Sequence, residues 1–397
     1  MEAIALKSPE INRAPRFNKR LGIITHVPHW RWRDGTIWAY EPYVREVRLW
    51  ADLFAQVEVL APAAEGPMQG NQASYGRSNL VWRSVSYSQS YARGAPLKRL
   101  AQIPALALGI HRLIRYCDLI HLRSPGHPAL IGQVLVRLLH QPSITKWAGL
   151  YDCFAGERWP SRLERRLIRL WNAGHPVLIY GPSDHQHMIS FLPALMSEAE
   201  LTTARELSAR KDWGPPWQFL SVGRLLPVKN FALAICGLGE LHQYRPDLEW
   251  EYTLVGDGPE ASTLLELARQ CGIAERVHFK GPLPFDEVQK YYAAAQVVIM
   301  PGVKEGWPKI IAEAWAHGAV PLAAEAGLVP WILNGEEFGV PFQPNAVGLV
   351  EALVALLDND VKLEALLRRI AHRAEELSLE RFKSLLEEVL VEHCGLK

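Results

Sequence analysis

From residue 21 onward, short apolar runs alternate with stretches of helical periodicity. LGIITHV (21–27) reads as a buried strand, a polar and aromatic loop runs to Tyr40, and a helical stretch leads to VEVLAP (57–62). DLIHL (118–122), SITKWAG (143–149) and PVLIYG (176–181) continue the series. The alternation then restarts with FLSVGRL (219–225), YTLVGDG (252–258), VHFKG (277–281), VVIMP (297–301) and AVPLAA (319–324), most of them ending in glycine or proline ahead of helix-forming sequence. Strands separated by helical stretches predict βαβ units and parallel sheets. The polar stretch from Glu198 to Gly214, closed by Pro215-Pro216, is the natural boundary between the two series. The expected organisation is a polar leader over 1–20, a first domain over 21–200, a second over 215–377 and a final helix over 378–397. Two doubly wound domains of this kind would face each other across a cleft, with ligands at the carboxyl edges of their sheets.

Composition narrows the class without choosing a function. The chain has 397 residues, 49% apolar and 21% charged, which suits two folded domains. A net charge of +1, from 43 basic and 42 acidic residues, lacks the basic excess of a nucleic-acid protein. Five cysteines (Cys117, Cys153, Cys236, Cys271, Cys394) are scattered without zinc spacing, so reduced thiols in the cytoplasm are expected. No apolar run reaches the roughly 18–20 residues that span a bilayer.

Three loops at predicted strand ends carry the chemistry: SVGRLLPVKN, LVGDGPEA and PGVKEGWPK. In the first, Arg224 and Lys229 are placed to clamp a diphosphate. The second matches G-x-G-x-x-A, yet the following strand ends Phe279-Lys280-Gly281 without the acid that would hold a dinucleotide ribose. In the third, Pro308 suits the first position of a helix that Gly318 can end. That leaves Glu305 in the entering loop and Glu313 about one and a half turns inside. A carboxylate at a helix mouth repels phosphate, so Glu305 suits a neutral, hydroxyl-rich or cationic part of the same ligand. A solvated loop residue and an exposed helix residue are the ordinary alternative.

Taken together, the order VGRL with a lysine five residues after the arginine, then LVGDGP, then the glutamate pair around EGWP, resembles the nucleotide-binding domain of family 4 glycosyltransferases. Those enzymes have two Rossmann-like domains in the arrangement called GT-B. The resemblance is specific over 217–324, extends loosely to SLERFKSLLEEVL (378–390) as a helix crossing back to the first domain, and is faint in IITHVPHWRWRDG and DLIHLRSPGHPALIG. It implies a retaining transfer of sugar from a nucleoside diphosphate sugar to a glycan, lipid-linked or small-molecule acceptor, with no metal and no cofactor. Glu305 would contact the sugar, Glu313 the ribose, and Arg224 and Lys229 the phosphates. Gly223, Gly256 and backbone N–H groups at Gly306, Trp307 and Lys309 would complete the donor site.

The chain departs from that pattern in its first half. A single Gly35 stands where two glycines are usual, leaving close backbone approach to the donor phosphates to Gly35 alone, and Lys146-Trp147-Ala148-Gly149 replaces a histidine before glycine. His127, Lys146 and Asp152 are the candidates for the acceptor or sugar side. RWPSRLERRLIRLW (158–171) reads as a basic amphipathic helix able to contact an anionic membrane from the inner face, or as an ordinary packed helix. His185-Gln186-His187 lacks a third metal ligand. Asp358-Asn359-Asp360 matches a cation-binding D-x-D, but its position between two helical stretches fits helix ends and caps. Rival functions are a sugar-nucleotide epimerase, which would convert donor without acceptor, and a non-catalytic sugar-nucleotide-binding partner, which would bind donor without turnover.

Overall fold

The computed structural model describes residues 14–397, apart from 65, 67, 69–71, 86–94, 152–156, 158, 171–174, 184, 194–195 and 305 and the side chains of 95–100. The chain divides into two compact units, Met1–Phe191 with Lys383–Lys397, and Leu192–Phe382.

The first unit is built on a seven-stranded parallel sheet in the order Met188–Ser190, Val177–Tyr180, Ser143–Leu150, Leu119–Ser124, Phe17–Ile24, Phe54–Pro62, Leu80–Val85. The central strands are apolar because helices cover both faces. Ile24, Leu60, Ile120 and Leu122 pack with Leu106, Ile110 and Leu113 of the helix Ala95–Tyr116 and Val136 of the helix His127–Leu138. The expected loop between the first strand and Tyr40 holds a hairpin instead. His29–Arg31 and Ile37–Tyr40 pair antiparallel and, with Gln72–Ser74, form a small sheet. Its aromatic residues, Trp30, Trp38 and Tyr40, are those that favour a half-buried pleated surface.

The second unit carries a six-stranded parallel sheet in the order Val277–Gly281, Trp250–Val255, Trp217–Val222, Val297–Met300, Val320–Ala324, Val340–Phe342. Successive strands run outward from Trp217–Val222 in one direction as far as Val277–Gly281, and the chain then returns to lay Val297–Met300 on its other side. The carboxyl ends of Val222 and Met300 therefore flank the switch point, where loops part and ligands lodge. The ladder between these two strands ends at Leu220 and Val298. Beyond it, buried Ser221 donates its hydroxyl to Ile299 O at 2.5 Å and accepts from Tyr252 Oη at 2.8 Å, so the strand ends are fixed where the backbone pairing stops.

The polar stretch expected at the boundary lies inside the second unit. Ser197 and Glu200 form a capping box, Ser197 Oγ accepting from Glu200 N–H at 3.2 Å and Glu200 Oε2 from Ser197 N–H at 2.7 Å, and open the helix Glu198–Ser208. Leu201 and Ala204 bury one face of it, so it belongs to the core of that unit. The last helix, Leu379–Cys394, begins in the second unit, Leu379 N–H donating to Met196 O at 2.9 Å. From Lys383 it belongs to the first unit, where Arg16 Nε meets Glu387 Oε1 at 2.7 Å.

Candidate active site

Two of the glycine loops of the second unit, those after Val222 and Val255, are pressed together backbone on backbone, and the second of them also meets the strand end at Gly281. Gly223 N–H donates to Val255 O (2.9 Å), Leu225 N–H to Asp257 O (2.8 Å), and Gly256 N–H to Gly281 O (2.9 Å). A Cβ on Gly256 would lie 1.9 Å from Gly223 O, and one on Gly258 2.3 Å from Leu225 O. Gly256 also has φ +141°, a region glycine alone visits at little cost. These glycines allow the first loop to lie flat over the second. Arg224, exposed, and Lys229, partly exposed at the end of the turn Pro227–Lys229, are carried on that first loop.

Across the switch point, the helix Lys309–Ala316 starts one residue later than expected, with Pro308 as its N-cap. Proline cannot donate there, and its fixed φ leads the chain into the first turn. Gly306 and Trp307 are half-buried in the entering loop, and Lys309 is exposed at the helix start. Glu305 falls outside the described residues, as does Asp152.

Glu313 is half-buried and oriented by a residue that its own motif does not reveal. Tyr292, fully buried on the helix Phe285–Ala294, donates its hydroxyl to Glu313 Oε2 at 2.6 Å. Burial lifts the Glu313 carboxyl above the usual range, with the Tyr292 hydrogen bond and the charge of Lys309 opposing it. His317 stacks on Tyr292 with ring centroids 5.4 Å apart, and its Nδ1 lies 2.8 Å from Glu313 O. Lys211 comes from the polar stretch first read as the boundary. Its ammonium donates to Ala295 O (2.5 Å), His317 O (2.9 Å) and Tyr292 O (3.4 Å), at the carboxyl ends of both helices that set Glu313. Neither Tyr292 nor Lys211 lies within a recognisable spacing of Glu313; the capping box at Ser197 was the readable sign that Lys211 follows a packed helix.

The first-unit candidates separate. Gly35, expected beside the phosphates, is the left-handed residue (φ +85°) of the exposed turn that closes the hairpin. Its N–H is occupied by Trp32 O at 3.0 Å, while Asp34 Oδ1 accepts from Thr36 N–H at 2.9 Å. The turn requires this conformation, and the amide is spent within it. Lys146 is buried and paired with Glu46 Oε2 at 2.8 Å, with Arg123 Nη1 on the same oxygen at 3.3 Å. Burial by itself would raise Glu46; the Lys146 and Arg123 charges outweigh it and hold the carboxyl at about 2. Lys146 is thus committed to an internal ion pair. His127 remains at the carboxyl edge, half-buried as the first residue of its helix.

Asp358 and Asn359 do what helix ends require. Asp358 is the C-cap of the helix Ala346–Leu357, and Asn359 Oδ1 accepts from Lys362 N–H at 2.9 Å as the N-cap of the next.

A family model described as "Glycosyl transferases group 1" matches residues 217–359, which hold both halves of the switch point and all three loops. Residues 217–359 are a group 1 glycosyltransferase domain. Among curated relatives, the D-inositol 3-phosphate glycosyltransferase of Corynebacterium diphtheriae is 34% identical over 145 residues, 35% of this chain and 34% of that protein. The N-acetyl-alpha-D-glucosaminyl L-malate synthase of Bacillus anthracis is 29% identical over 139 residues, 35% of each chain. The chain thus spans between about a third and a half of the length of the curated relatives it matches. Over nearly the whole chain, solved structures share the fold. HepE of Anabaena, solved with UDP and glucose, covers 94% of this chain and 100% of its own at a TM-score of 0.64 and 15% identity. The sucrose-phosphate synthase of Thermosynechococcus elongatus covers 95% of this chain and 100% of its own at a TM-score of 0.64 and 14% identity. The two doubly wound units are those of the GT-B architecture.

Proposed function

We propose that the protein transfers a sugar from a nucleoside diphosphate sugar to an acceptor bound by the first unit, with retention of anomeric configuration and without a metal. The observation that carries the reading is the stitched pair of glycine loops after Val222 and Val255, with Arg224 and Lys229 carried on the first of them beside the switch point of the group 1 domain and the start of the helix Lys309–Ala316 on the other side. A departing diphosphate needs positive charge that is already in place when the bond breaks. Arg224, Lys229 and the helix start supply it, the last through backbone N–H groups and the helix dipole. Glu313, held by Tyr292, suits ribose hydroxyls, to which a carboxylate makes charge-assisted hydrogen bonds. Glu305 takes the sugar side by resemblance. The cap roles of Asp358 and Asn359 support a metal-free mechanism, because they give the D-x-D a structural use.

The helix Trp159–Leu170 supports an acceptor presented at an anionic membrane. Its outer face carries Trp159, Leu163 and Leu170, exposed at 71%, 40% and 75%, between Arg162, Arg166 and Arg169. No helix among the described residues is long and apolar enough to cross a membrane. The test is a donor panel read by thermal shift, since a ligand stabilises as ln(1 + [L]/Kd). Nucleoside diphosphate release is then followed with and without acceptors. Donor conversion without acceptor would identify an epimerase, and stabilisation without turnover in any acceptor would identify a binding protein.

A further inference from the structure

We propose that Glu164 is a positioning residue that sets the places of His26 and His127 at the switch point of the first sheet. The strand Phe17–Ile24 lies between Phe54–Pro62 and Leu119–Ser124, and the crossovers run from it in opposite directions, so the loops that leave Ile24 and Ser124 flank that point. His26 stands on one loop and His127 on the other. Glu164 reaches the second loop from the helix Trp159–Leu170 with only 1% of its surface exposed. Ser124 Oγ donates to its Oε1 at 2.5 Å and Gly126 N–H to its Oε2 at 3.0 Å. The neighbouring Arg165 is committed to Glu157, so the partners of Glu164 are the loop itself.

A buried carboxyl is costly where a leucine would pack, and what it secures here is a fixed loop. Burial raises its pKa to about 7, which matches a group that serves by hydrogen bonding. The loop in turn fixes the histidines. The His26 ring rests on Gly126, where a Cβ would come within 2.8 Å of His26 Nδ1. Leu130 N–H donates to Gly126 O at 2.8 Å, opening the helix that His127 begins. Burial, then the charges of Arg123 and His127, hold His26 at about 4, so the two rings already sense each other.

The inference rests on the transferase reading only in making this edge the acceptor side, and its test reads the histidines directly. In protein labelled at histidine C2, the His26 and His127 resonances are assigned with His26→Gln and His127→Gln and titrated. Glu164→Leu should displace both and raise the His26 midpoint by about one pH unit as the loop relaxes. Glu164→Gln, which keeps an acceptor for Gly126 and a partner for Ser124, should leave both in place. Ile168→Ala, a core change on the same helix, should lower the melting temperature without moving either. If Glu164→Leu does not fold, Ser124→Ala removes one grip from the loop side and should shift both resonances in the same direction. Unmoved histidines in the folded variant, equal movement in Ile168→Ala, or failure of Glu164→Gln to restore the wild-type spectrum would overturn the proposal. Absence of sugar transfer by the wild-type enzyme would sink the function proposed above and leave this result standing.

Discussion

Replacing Gly256 with alanine tests the stitching of the donor loops most directly. The new Cβ would fall 1.9 Å from Gly223 O, so the two loops must separate. A side chain at φ +141° adds strain of about 1–3 kcal/mol. Separation also loosens the 2.9 Å bonds from Gly223 N–H and Gly256 N–H, each contributing about 1 kcal/mol. The total, about 3–5 kcal/mol, corresponds to a fall in melting temperature of about 10 °C for a unit of this size. A loop displaced by about 1 Å should also weaken nucleoside diphosphate binding at least tenfold. Gly272→Ala is the control, because Gly272 has φ +73° with nothing within 4 Å of the added Cβ and therefore isolates strain from collision. Circular dichroism melts and titration calorimetry with UDP, alongside the donor panel, provide the measurements. If Gly256→Ala melts within 2 °C of Gly272→Ala (about the scale of 1 kcal/mol) and binds nucleotide like the wild type, the loops are not held backbone to backbone and the site has been misassembled.

Lys229→Ala should lower turnover by about 10² to 10³, the effect of losing one preorganised charge-stabilising donor, with the melting temperature little changed; turnover within twofold of wild type would remove it from the site. Glu313→Gln should weaken nucleotide binding more than it lowers kcat, and Tyr292→Phe should do so in smaller degree; normal UDP binding by both would leave the pair purely structural. Lys211→Met strands three carbonyl oxygens and should cost about 1–3 kcal/mol, visible as an earlier melt; an unchanged melt would show that water replaces the ammonium. Turnover should survive excess EDTA, and abolition by EDTA with rescue by Mg²⁺ would overturn the metal-free mechanism.

The group 1 domain was legible because its candidate residues are local in sequence: they fall in the loops that follow short β-branched strands or, like Glu313, in the helix that comes next, so period and punctuation place them. The residues that make the site rigid were not local. Tyr292 meets Glu313 from another helix, and Lys211 lies in a polar run whose helical character depended on one capping box. Val340–Phe342 is three residues long, too short for any alternation to show. In the first unit, Gly35 carried a phosphate-loop reading because glycine before a strand suits both a ligand loop and a hairpin turn. The pattern Asp34-Gly35-Thr36 between aromatic pairs favoured the turn. Lys146 was a candidate because Lys146-Trp147-Ala148-Gly149 stands where the family pattern has a histidine before glycine. Its partner Glu46 lies on a separate helix, and nothing in the spacing predicts the pair.

The make-up of the units bears on the order in which the protein matures during synthesis. The second unit is one uninterrupted run, Leu192–Phe382, whereas the first needs both its long amino-terminal portion and Lys383–Lys397. Domains usually complete themselves in the order in which they leave the ribosome. Here the later-made unit has all its residues first, and the earlier one waits, with the surface beside Arg16 uncovered, until the helix bearing Glu387 arrives. A nascent chain that has emerged only through residue 382 would hold a finished second unit and an unfinished first, so exposure to chaperones and proteases during translation falls on the half made first.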